Sequence, residues 1–322
     1  MERGGLDVPD HHASGFLERY PGVAASARLD SGDRWTIPVR DGAISAYAMP
    51  ALGERRGLPV LYVPGWGGTI EGFMDVIESI GEAVDLFYVE TREKCSSELV
   101  PHARFTMSRI AADVAGAARR FGLPDDGYLL LGSSFGAAVA VQAVADGVLR
   151  PAVTILYDPM PRLWMPRWVL RYVAPLASPG VVSVLRPALK RLVLAGMRER
   201  LQRRRAARFI DAADLGKWRA AAIALRDWDI RSVGPRVDRP VAIVNGCADR
   251  FHDPSLYPRI AAAIPGSRLL RVPVRESERE RLIGAVATAY AFDWPVCDDA
   301  REGRSSLERT PVPRALRGFV EV

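Results

Sequence analysis

A pair of serines framed by glycines is the first feature of this sequence whose residue types and spacing could do chemistry. Residues 132–136 read Gly-Ser-Ser-Phe-Gly, between the apolar run YLLL and the alanine-rich segment AAVAVQA. In a G-x-S-x-G frame the middle serine lies on a sharp strand-to-helix turn, where the helix N-terminus stabilises a nearby anion. The pattern therefore favours Ser134, the middle residue, as a nucleophile that attacks an acyl carbon. An ordinary glycine-rich turn is the alternative interpretation.

Strands and helices alternate around this frame, which predicts the fold class. Between residues 34 and 159, apolar segments alternate with helical patterns, as in a parallel sheet covered by helices on both faces. The alternation stops at 160–229, where several helices are predicted, and resumes at 239–254. We therefore predict an α/β protein with an N-terminal segment 1–33, a core of 34–159 and 230–294, a helical cap 160–229 and a C-terminal tail 295–322. We expect the segment with His11 and His12 to be flexible and the tail to be extended or poorly ordered.

The composition disfavours several classes of protein. The 322 residues are 48% apolar and 25% charged, as in an ordinary globular chain. No apolar run approaches the roughly 20 residues of a membrane-spanning helix, and the N-terminus lacks the apolar core of a secretion signal. The three cysteines (Cys95, Cys247 and Cys297) lie far apart, without the spacing of a metal site. We expect a cytoplasmic protein that uses no metal and no cofactor.

Positive charge is concentrated in the predicted cap. The whole chain has a net charge of +6, whereas residues 162–208 contain twelve Lys or Arg against the single acid Glu199, a local charge of +11. Large apolar residues are interspersed, and helical spacing places four of them on one side of a helix: Leu185, Leu189, Leu192 and Val193. One interpretation is a cap helix packed on the core with a solvated basic face. The other is a lipophilic channel ringed by positive charge.

The second interpretation predicts a particular kind of partner. An acyl chain would enter the channel, and its anionic carrier (coenzyme A or an acyl carrier protein) or an anionic membrane surface would meet the basic residues. Nucleic acid is disfavoured, because large aliphatics interrupt the basic residues and no recognition module is present. We therefore expect a small lipophilic acyl substrate and no nucleic-acid partner.

Order and spacing of the motifs together resemble the α/β-hydrolase superfamily, over most of residues 34–294. The segment VPGWGG at 63–68 resembles the oxyanion loop of that family, with Pro64-Gly65 in place of the usual His-Gly. The segment ETREKCSS at 90–97 is similar to its D-x-R-G-x-G-x-S loop, although both glycines are absent. The predicted cap falls where many members carry one. The resemblance implies the α/β-hydrolase fold, a mostly parallel, doubly wound sheet with an inserted helical cap.

The resemblance also implies the groups that would assist Ser134. The backbone N–H groups of Trp66 and Phe135 would bind the developing oxyanion, and such a donor lowers the barrier by about 3–4 kcal/mol. The family places its acid in a G-x-x-D pattern after the penultimate strand, and residues 246–249, Gly-Cys-Ala-Asp, supply one. Asp249 is therefore the expected acid. Asp158, at the end of an earlier strand, is a weaker candidate, because Asp-Pro is also a plain turn signal.

The histidine of the family's catalytic triad is missing from its usual place. It should follow the last predicted strand, but Arg275 and Glu276 stand there, and no histidine follows His252. A serine hydroxyl without a base is a weak nucleophile. Three candidate bases stay open: His252, oriented by Asp249 or Asp253; His102; and Glu276, if a dry pocket raises its pKa.

These expectations lead to one leading function and two alternatives. The leading one is an enzyme that acts on a lipophilic acyl ester or thioester through Ser134, by hydrolysis or acyl transfer, with a displaced or absent histidine. One alternative is a non-hydrolytic member that catalyses elimination or cyclisation in specialised metabolism. The other is a non-catalytic protein that kept the fold and binds a ligand. The fold does not choose among them, because one scaffold hosts many functions.

Overall fold

The structure, a computed structural model, describes residues 11–163, 165–195, 197, 199–246, 253–294 and 309–321. Its strands are β1 (Asp33–Val39), β2 (Gly42–Met49), β3 (Val60–Val63), β4 (Leu86–Val89), β5 (Glu98–Leu99), β6 (Leu129–Ser133), β7 (Val153–Tyr157), β8 (Val241–Asn245) and β9 (Arg268–Arg271). Its α-helices are α1 (His11–Arg19), α2 (Ala25–Asp30), α3 (Met74–Ser79), α4 (Met107–Arg120), α5 (Phe135–Ala145), α6 (Pro179–Val184), α7 (Arg186–Leu194), α8 (Arg200–Ala212), α9 (Leu215–Leu225), α10 (Ile230–Val233), α11 (Tyr257–Ala263) and α12 (Arg279–Asp293).

The strands form a single nine-stranded sheet. Its order is β1-β2-β4-β3-β6-β7-β8-β9, and the short β5 pairs with β2. Strand β2 runs antiparallel to β1 and β4, whereas each neighbouring pair from β4 to β9 is parallel. All residues of β3, β6, β7 and β8 are buried, which explains why these strands are apolar along almost their whole length. The predicted α/β class with a mostly parallel sheet is confirmed.

Helices cover both faces of the sheet. Helices α4, α5, α10 and α11 contribute to the core on one face, and α1, α3 and α12 to the core on the other. Helix α5 is buried from Phe135 to Val144 and is apolar on all sides, as expected for a helix enclosed between the sheet and other helices. None of the helices in the described ranges combines the length and the apolar character needed to cross a bilayer.

Residues 160–229 form a helical layer between β7 and α10. Helix α7 packs on α8, and α6 packs on α9, together with a π-helical turn at Val169–Val173 and a 3₁₀ turn at Ala174–Leu176. The inner side of this layer reaches the core through Phe209 and Trp218, whose rings contact the glycine-rich loop after β3. This helical layer, which lies where the cap is predicted and keeps that name below, therefore lies over the carboxyl end of β3, where open α/β sheets bind ligands.

The N-terminal segment differs from its prediction. His11 and His12 belong to α1, and the side chains of Phe16 and Leu17 on that helix are buried. The expectation of a flexible segment is wrong there, because the apolar side of α1 packs on α12 and completes the core on that face of the sheet.

The C-terminal tail also differs, in its described part. Within 309–321, Val320 forms an antiparallel bridge with Leu270 of β9, and Leu316 is fully buried. The expectation of an extended or poorly ordered arm is therefore wrong for these residues, because they cover the free edge of β9 and the apolar core beside it. Residues 295–308 lie outside the described residues.

Candidate active site

Ser134 lies at the turn from β6 into α5, in a backbone conformation that few residues other than glycine adopt. Its φ is +50° and its ψ −108°, as in the strained turn expected of the G-x-S-x-G frame. Its N–H donates to the carbonyl of Tyr157 at 2.9 Å, and its carbonyl accepts from the N–H of Met160 at 3.2 Å. The end of β7 therefore holds the turn at the carboxyl edge of the sheet.

The two glycines of the frame are explained by close packing. A Cβ on Gly132 would lie 2.6 Å from Cα of Ala137, and a Cβ on Gly136 would lie 1.9 Å from the carbonyl oxygen of Val63. Both distances are far shorter than van der Waals contact. Helix α5 consequently approaches β6 and β3 only because these two positions lack side chains.

Ser133, the other serine of the pair, has a different environment. Its side chain is buried, and its hydroxyl lies 2.9 Å from the hydroxyl of Tyr62, also fully buried. Ser134, in contrast, is half-buried at the edge of the sheet. The hydroxyl of Ser133 is thus part of the core, in keeping with the prediction that Ser134 is the reactive member of the pair.

The predicted oxyanion loop lies beside Ser134. A Cβ added to Gly65 would lie 3.6 Å from Cβ of Ser134, so the loop passes beside the serine and leaves room between them for about one methyl group. The ring of Trp66 packs edge-on against the ring of Phe135, with centroids 4.7 Å apart. Phe135 is the first residue of α5, and its N–H is among those that have no acceptor within the helix. The fold therefore brings together the two residues whose N–H groups we predict to bind an oxyanion.

Aromatic side chains of the cap cover this loop. The indole of Trp218 lies against Gly67, whose φ of +75° and close contact both require glycine. The ring of Phe209 lies 5.3 Å from the ring of Phe73, which is on the core side. Among the described residues the indole N–H of Trp218 is buried and has no hydrogen-bond acceptor. The wall of the site is therefore aromatic and apolar.

A fully buried lysine, which the sequence reasoning missed, holds the predicted oxyanion loop through a hydrogen bond. The ammonium of Lys94 donates to the carbonyl of Gly65 at 2.6 Å and lies 3.4 Å from the carboxylate of Glu93. Both side chains are 0% exposed. A buried charge is stable only when it is paired and hydrogen-bonded, so this pair fixes the loop that lies beside Ser134. Consecutive charged residues directly after the buried strand β4 are the sequence signal that could have revealed it.

The same segment contains two further buried charged residues. Arg92 pairs with Asp113 at 2.6 Å and donates to the carbonyl of Arg104 at 2.6 Å. The carboxylate of Glu90 accepts the N–H of Ile70 at 2.6 Å, and burial raises the pKa of this carboxyl above its ordinary value. The segment at 90–97 is thus a rigid support under the site, although it lacks the two glycines of the family pattern.

Asp158 lies directly after β7 and is completely buried, with a φ of +41°. One carboxylate oxygen accepts from the side-chain amide of Asn245 at 2.8 Å and from the hydroxyl of Tyr257 at 3.3 Å. The other lies 3.1 Å from Nε of Arg279, an ion pair without hydrogen-bond geometry. Arg279 begins α12, just after the loop where the family places its histidine. An arginine therefore pairs with the carboxylate on this side of the site.

The other residues predicted as acid or base lie in different parts of the chain. Asp249 and His252 lie outside the described residues. Asp253 accepts the N–H of Ser255 at 2.9 Å and caps the turn that leads into α11. His102 is exposed in a turn near the β1–β2 hairpin, with a φ of +64°. The carboxylate of Glu276 accepts the N–H of Glu199 at 3.1 Å, which ties the core to the start of α8.

Comparison with known proteins gives a likeness of fold. No protein-family model and no curated protein matches the chain. A thermophilic esterase from Thermogutta terrifontis has a similar structure, with a TM-score of 0.65 and 21% identity over 82% of this chain and 98% of that one. A membrane phospholipase A, a bacterial virulence factor, matches with a TM-score of 0.61 and 14% identity over 90% and 93% of the two chains. An enol-lactonase from Burkholderia xenovorans matches with a TM-score of 0.57 and 19% identity over 79% and 96%.

These solved structures are α/β-hydrolase-fold proteins with different activities, and their low identities limit the comparison to the fold. The mostly parallel sheet covered by helices on both faces is the architecture of that fold. The chain therefore has the α/β-hydrolase fold.

Proposed function

We propose that this protein is an enzyme that cleaves or transfers the acyl group of a lipophilic ester or thioester, with Ser134 as its nucleophile. The observation that carries the proposal is the strained conformation of Ser134 at the N-terminus of α5, beside the loop at Gly65. The aromatic wall formed by Trp66, Trp218 and Phe209 supports a lipophilic acyl group.

The proposed reaction has two steps. In the first, Oγ of Ser134 attacks the acyl carbon while its proton passes to a base, and the N–H groups of Trp66 and Phe135 bind the oxyanion. The leaving alcohol or thiol takes that proton as its bond to the acyl carbon breaks. In the second step, water or another nucleophile attacks the acyl-serine ester, and the hydroxyl of Ser134 is regenerated.

The proposed acid and base come from the loop after β8. Asp249 occupies the position of the family's acid, and His252 follows three residues later. Catalytic groups are recognised by geometry and not by order along the chain, so a histidine from this loop can take the role of the missing one. His102 and Glu276 are less favoured, because the first is exposed near the β1–β2 hairpin and the second anchors the cap.

Covalent labelling tests the proposal directly. A fluorophosphonate reacts only with an activated serine, since Oγ must displace fluoride from phosphorus. We expect one adduct for each chain, mapped by peptide mass spectrometry to Ser134, and competition by long-chain p-nitrophenyl esters. A chain that hydrolyses no ester and takes no label, or takes it on Ser133, would contradict the proposal.

The identity of the acid is tested by two variants that remove one charge each. Asp249→Asn is expected to lower kcat by about 10⁴-fold, as loss of a triad aspartate does, with the free energy of unfolding within about 0.5 kcal/mol of the wild type. Asp158→Asn is expected to lower the free energy of unfolding by about 3 kcal/mol, because it breaks the ion pair of a fully buried carboxylate with Arg279, whose side chain is 16% exposed. Urea titrations and ester kinetics on both variants give the comparison. A large loss of kcat in Asp158→Asn, with kcat unchanged in Asp249→Asn, would identify Asp158 as the acid.

One observation favours a second candidate function. Arg279, and not a histidine, faces the buried carboxylate of Asp158. An oxyanion hole beside a guanidinium can stabilise an enolate or another anion without a serine ester, as elimination or cyclisation requires. Product analysis by mass spectrometry distinguishes the two candidates, because hydrolysis releases a carboxylic acid and a free alcohol or thiol.

A further inference from the structure

The solvent side of the cap exposes an unusual number of large apolar side chains. Of the twelve such side chains that are exposed in the described residues, nine lie between Trp168 and Leu201. Leu176 is 86% exposed, Val184 80% and Tyr172 65%. We call the exposed side chains of residues 167–204 the outer cap face.

The outer cap face belongs to a helical layer that is only partly buried. Helix α7 has no buried residue, although its sequence pattern predicts an apolar side packed on the core. Its Leu192 is 48% exposed, and Leu185, just before it, is 53% exposed. Arginine hydrogen bonds join the helices of this layer to one another. Arg186 donates to carbonyls at the end of α8, and Arg219 donates to the carbonyl of Ala174 at 2.7 Å.

Positive charge accompanies these apolar side chains. Residues 162–208 carry a net charge of +11. Asp227 pairs with Arg171, and Asp211 pairs with Lys190. The exposed arginines of α7 and α8 have no carboxylate partner within the described ranges; they are Arg191, Arg200, Arg203, Arg204 and Arg208.

We infer that the outer cap face docks on the surface of an anionic lipid bilayer. Aromatic and aliphatic side chains enter the boundary between headgroups and acyl chains, while arginines around them meet anionic headgroups. The opposite side of the same layer covers the loop at Gly67 through Trp218. Docking therefore places the site next to the bilayer, so that the acyl substrate is drawn from lipid. The withdrawal of an acyl substrate from lipid rests on the proposed function, whereas the docking does not.

Other occupants fit the outer cap face less well. A second copy of the chain would bring two strongly positive surfaces together, and each like-charge contact across such an interface costs several kcal/mol. An acidic carrier protein would pair with the arginines, but it would leave side chains such as Leu176 and Val184 without a matching apolar surface. A bilayer satisfies both the charge and the apolar area.

Vesicle co-sedimentation tests the inference with the full chain. The probes are vesicles of phosphatidylcholine alone and vesicles of phosphatidylcholine and phosphatidylglycerol in equal parts. We expect binding to the anionic vesicles at low salt and a steep decrease as added salt shortens the Debye length to about 3 Å near 1 M. The Ser134→Ala variant is expected to bind equally well, so a failure of the proposed catalysis does not affect this measurement.

Matched variants separate the apolar and the charged contributions. Leu176→Asp with Val184→Asp is expected to weaken partitioning on the order of tenfold or more, whereas Val100→Asp with Val148→Asp, exposed outside the cap, is expected to leave it unchanged. Arg200→Ser with Arg203→Ser is expected to weaken it on the order of 20-fold. The control is Arg119→Ser with Arg259→Ser, exposed on α4 and α11. Thermal unfolding of each variant confirms that it is folded.

Three outcomes would overturn the inference. One is equal binding, or none, to the two kinds of vesicle at low salt. Another is loss of binding in the control variants to the same extent as in the cap variants. The third is a loss with the arginine pair but not with the Leu176 and Val184 pair, which would indicate an acidic protein partner recognised by charge.

Discussion

Replacing Ser134 with alanine is expected to lower kcat for ester hydrolysis by about 10⁴- to 10⁶-fold, the loss seen when a serine nucleophile is removed from a working triad. The reason is that the other serine of this turn, Ser133, is buried and hydrogen-bonded to Tyr62, so it cannot replace Ser134 as the nucleophile. The free energy of unfolding is expected to change little, because alanine adds no atoms and Ser134 is only half-buried. Steady-state kinetics with a p-nitrophenyl ester and urea titration measure the two effects.

Ser133→Ala is the matched control, one residue away, and its expected pattern is the reverse. It removes the hydrogen-bond partner of the buried Tyr62 hydroxyl, which costs about 1–3 kcal/mol of stability. Its kcat is expected to stay close to that of the wild type. Equal loss of activity in the two variants would show that the turn as a whole, and not the hydroxyl of Ser134, is required.

Lys94→Met is expected to lower the free energy of unfolding by about 3–5 kcal/mol, as breaking a buried ion pair does. Methionine leaves the carboxylate of Glu93 buried with Thr91 as its hydrogen-bond partner, and it leaves the carbonyl of Gly65 without the donor 2.6 Å away. Because that carbonyl belongs to the loop beside Ser134, a displaced loop is also expected to reduce kcat/KM, by about 10²-fold for a shift of 1 Å. Urea titration and ester kinetics give both values.

A second substitution separates the two effects of Lys94. In the double variant Lys94→Met with Glu93→Gln, the unpaired charge is gone, so most of the lost stability should return while kcat/KM stays low. Lys217→Met is the control, since Lys217 also donates to this segment, at 2.6 Å from the carbonyl of Ser97, but is partly exposed. Its expected cost is about 1 kcal/mol. A Lys94→Met variant no less stable than Lys217→Met would refute the role assigned to the buried pair.

Features that depend on short stretches of chain could be predicted from the sequence. The buried strands β3, β6, β7 and β8 are apolar runs between turn residues, so their existence and the parallel sheet followed from composition and alternation. The choice of Ser134 over Ser133 also followed from local spacing, because the glycines two positions away, Gly132 and Gly136, allow the helix to approach the strands. The helices of 160–229 could likewise be predicted from the local spacing of apolar residues.

In contrast, the identity of the distant residues that meet at the site, and of the side of the cap that faces water, depends on tertiary packing. Lys94 under Gly65, Arg279 beside Asp158, and Trp218 on Gly67 each join segments that are far apart in the chain. Local periodicity carries no information about such pairs, because burial of a charge depends on what packs against it from elsewhere. The apolar side of α7 has the spacing of a core helix, yet no residue of α7 is buried. Periodicity specifies that an apolar side exists, and only the packed fold specifies whether protein covers it.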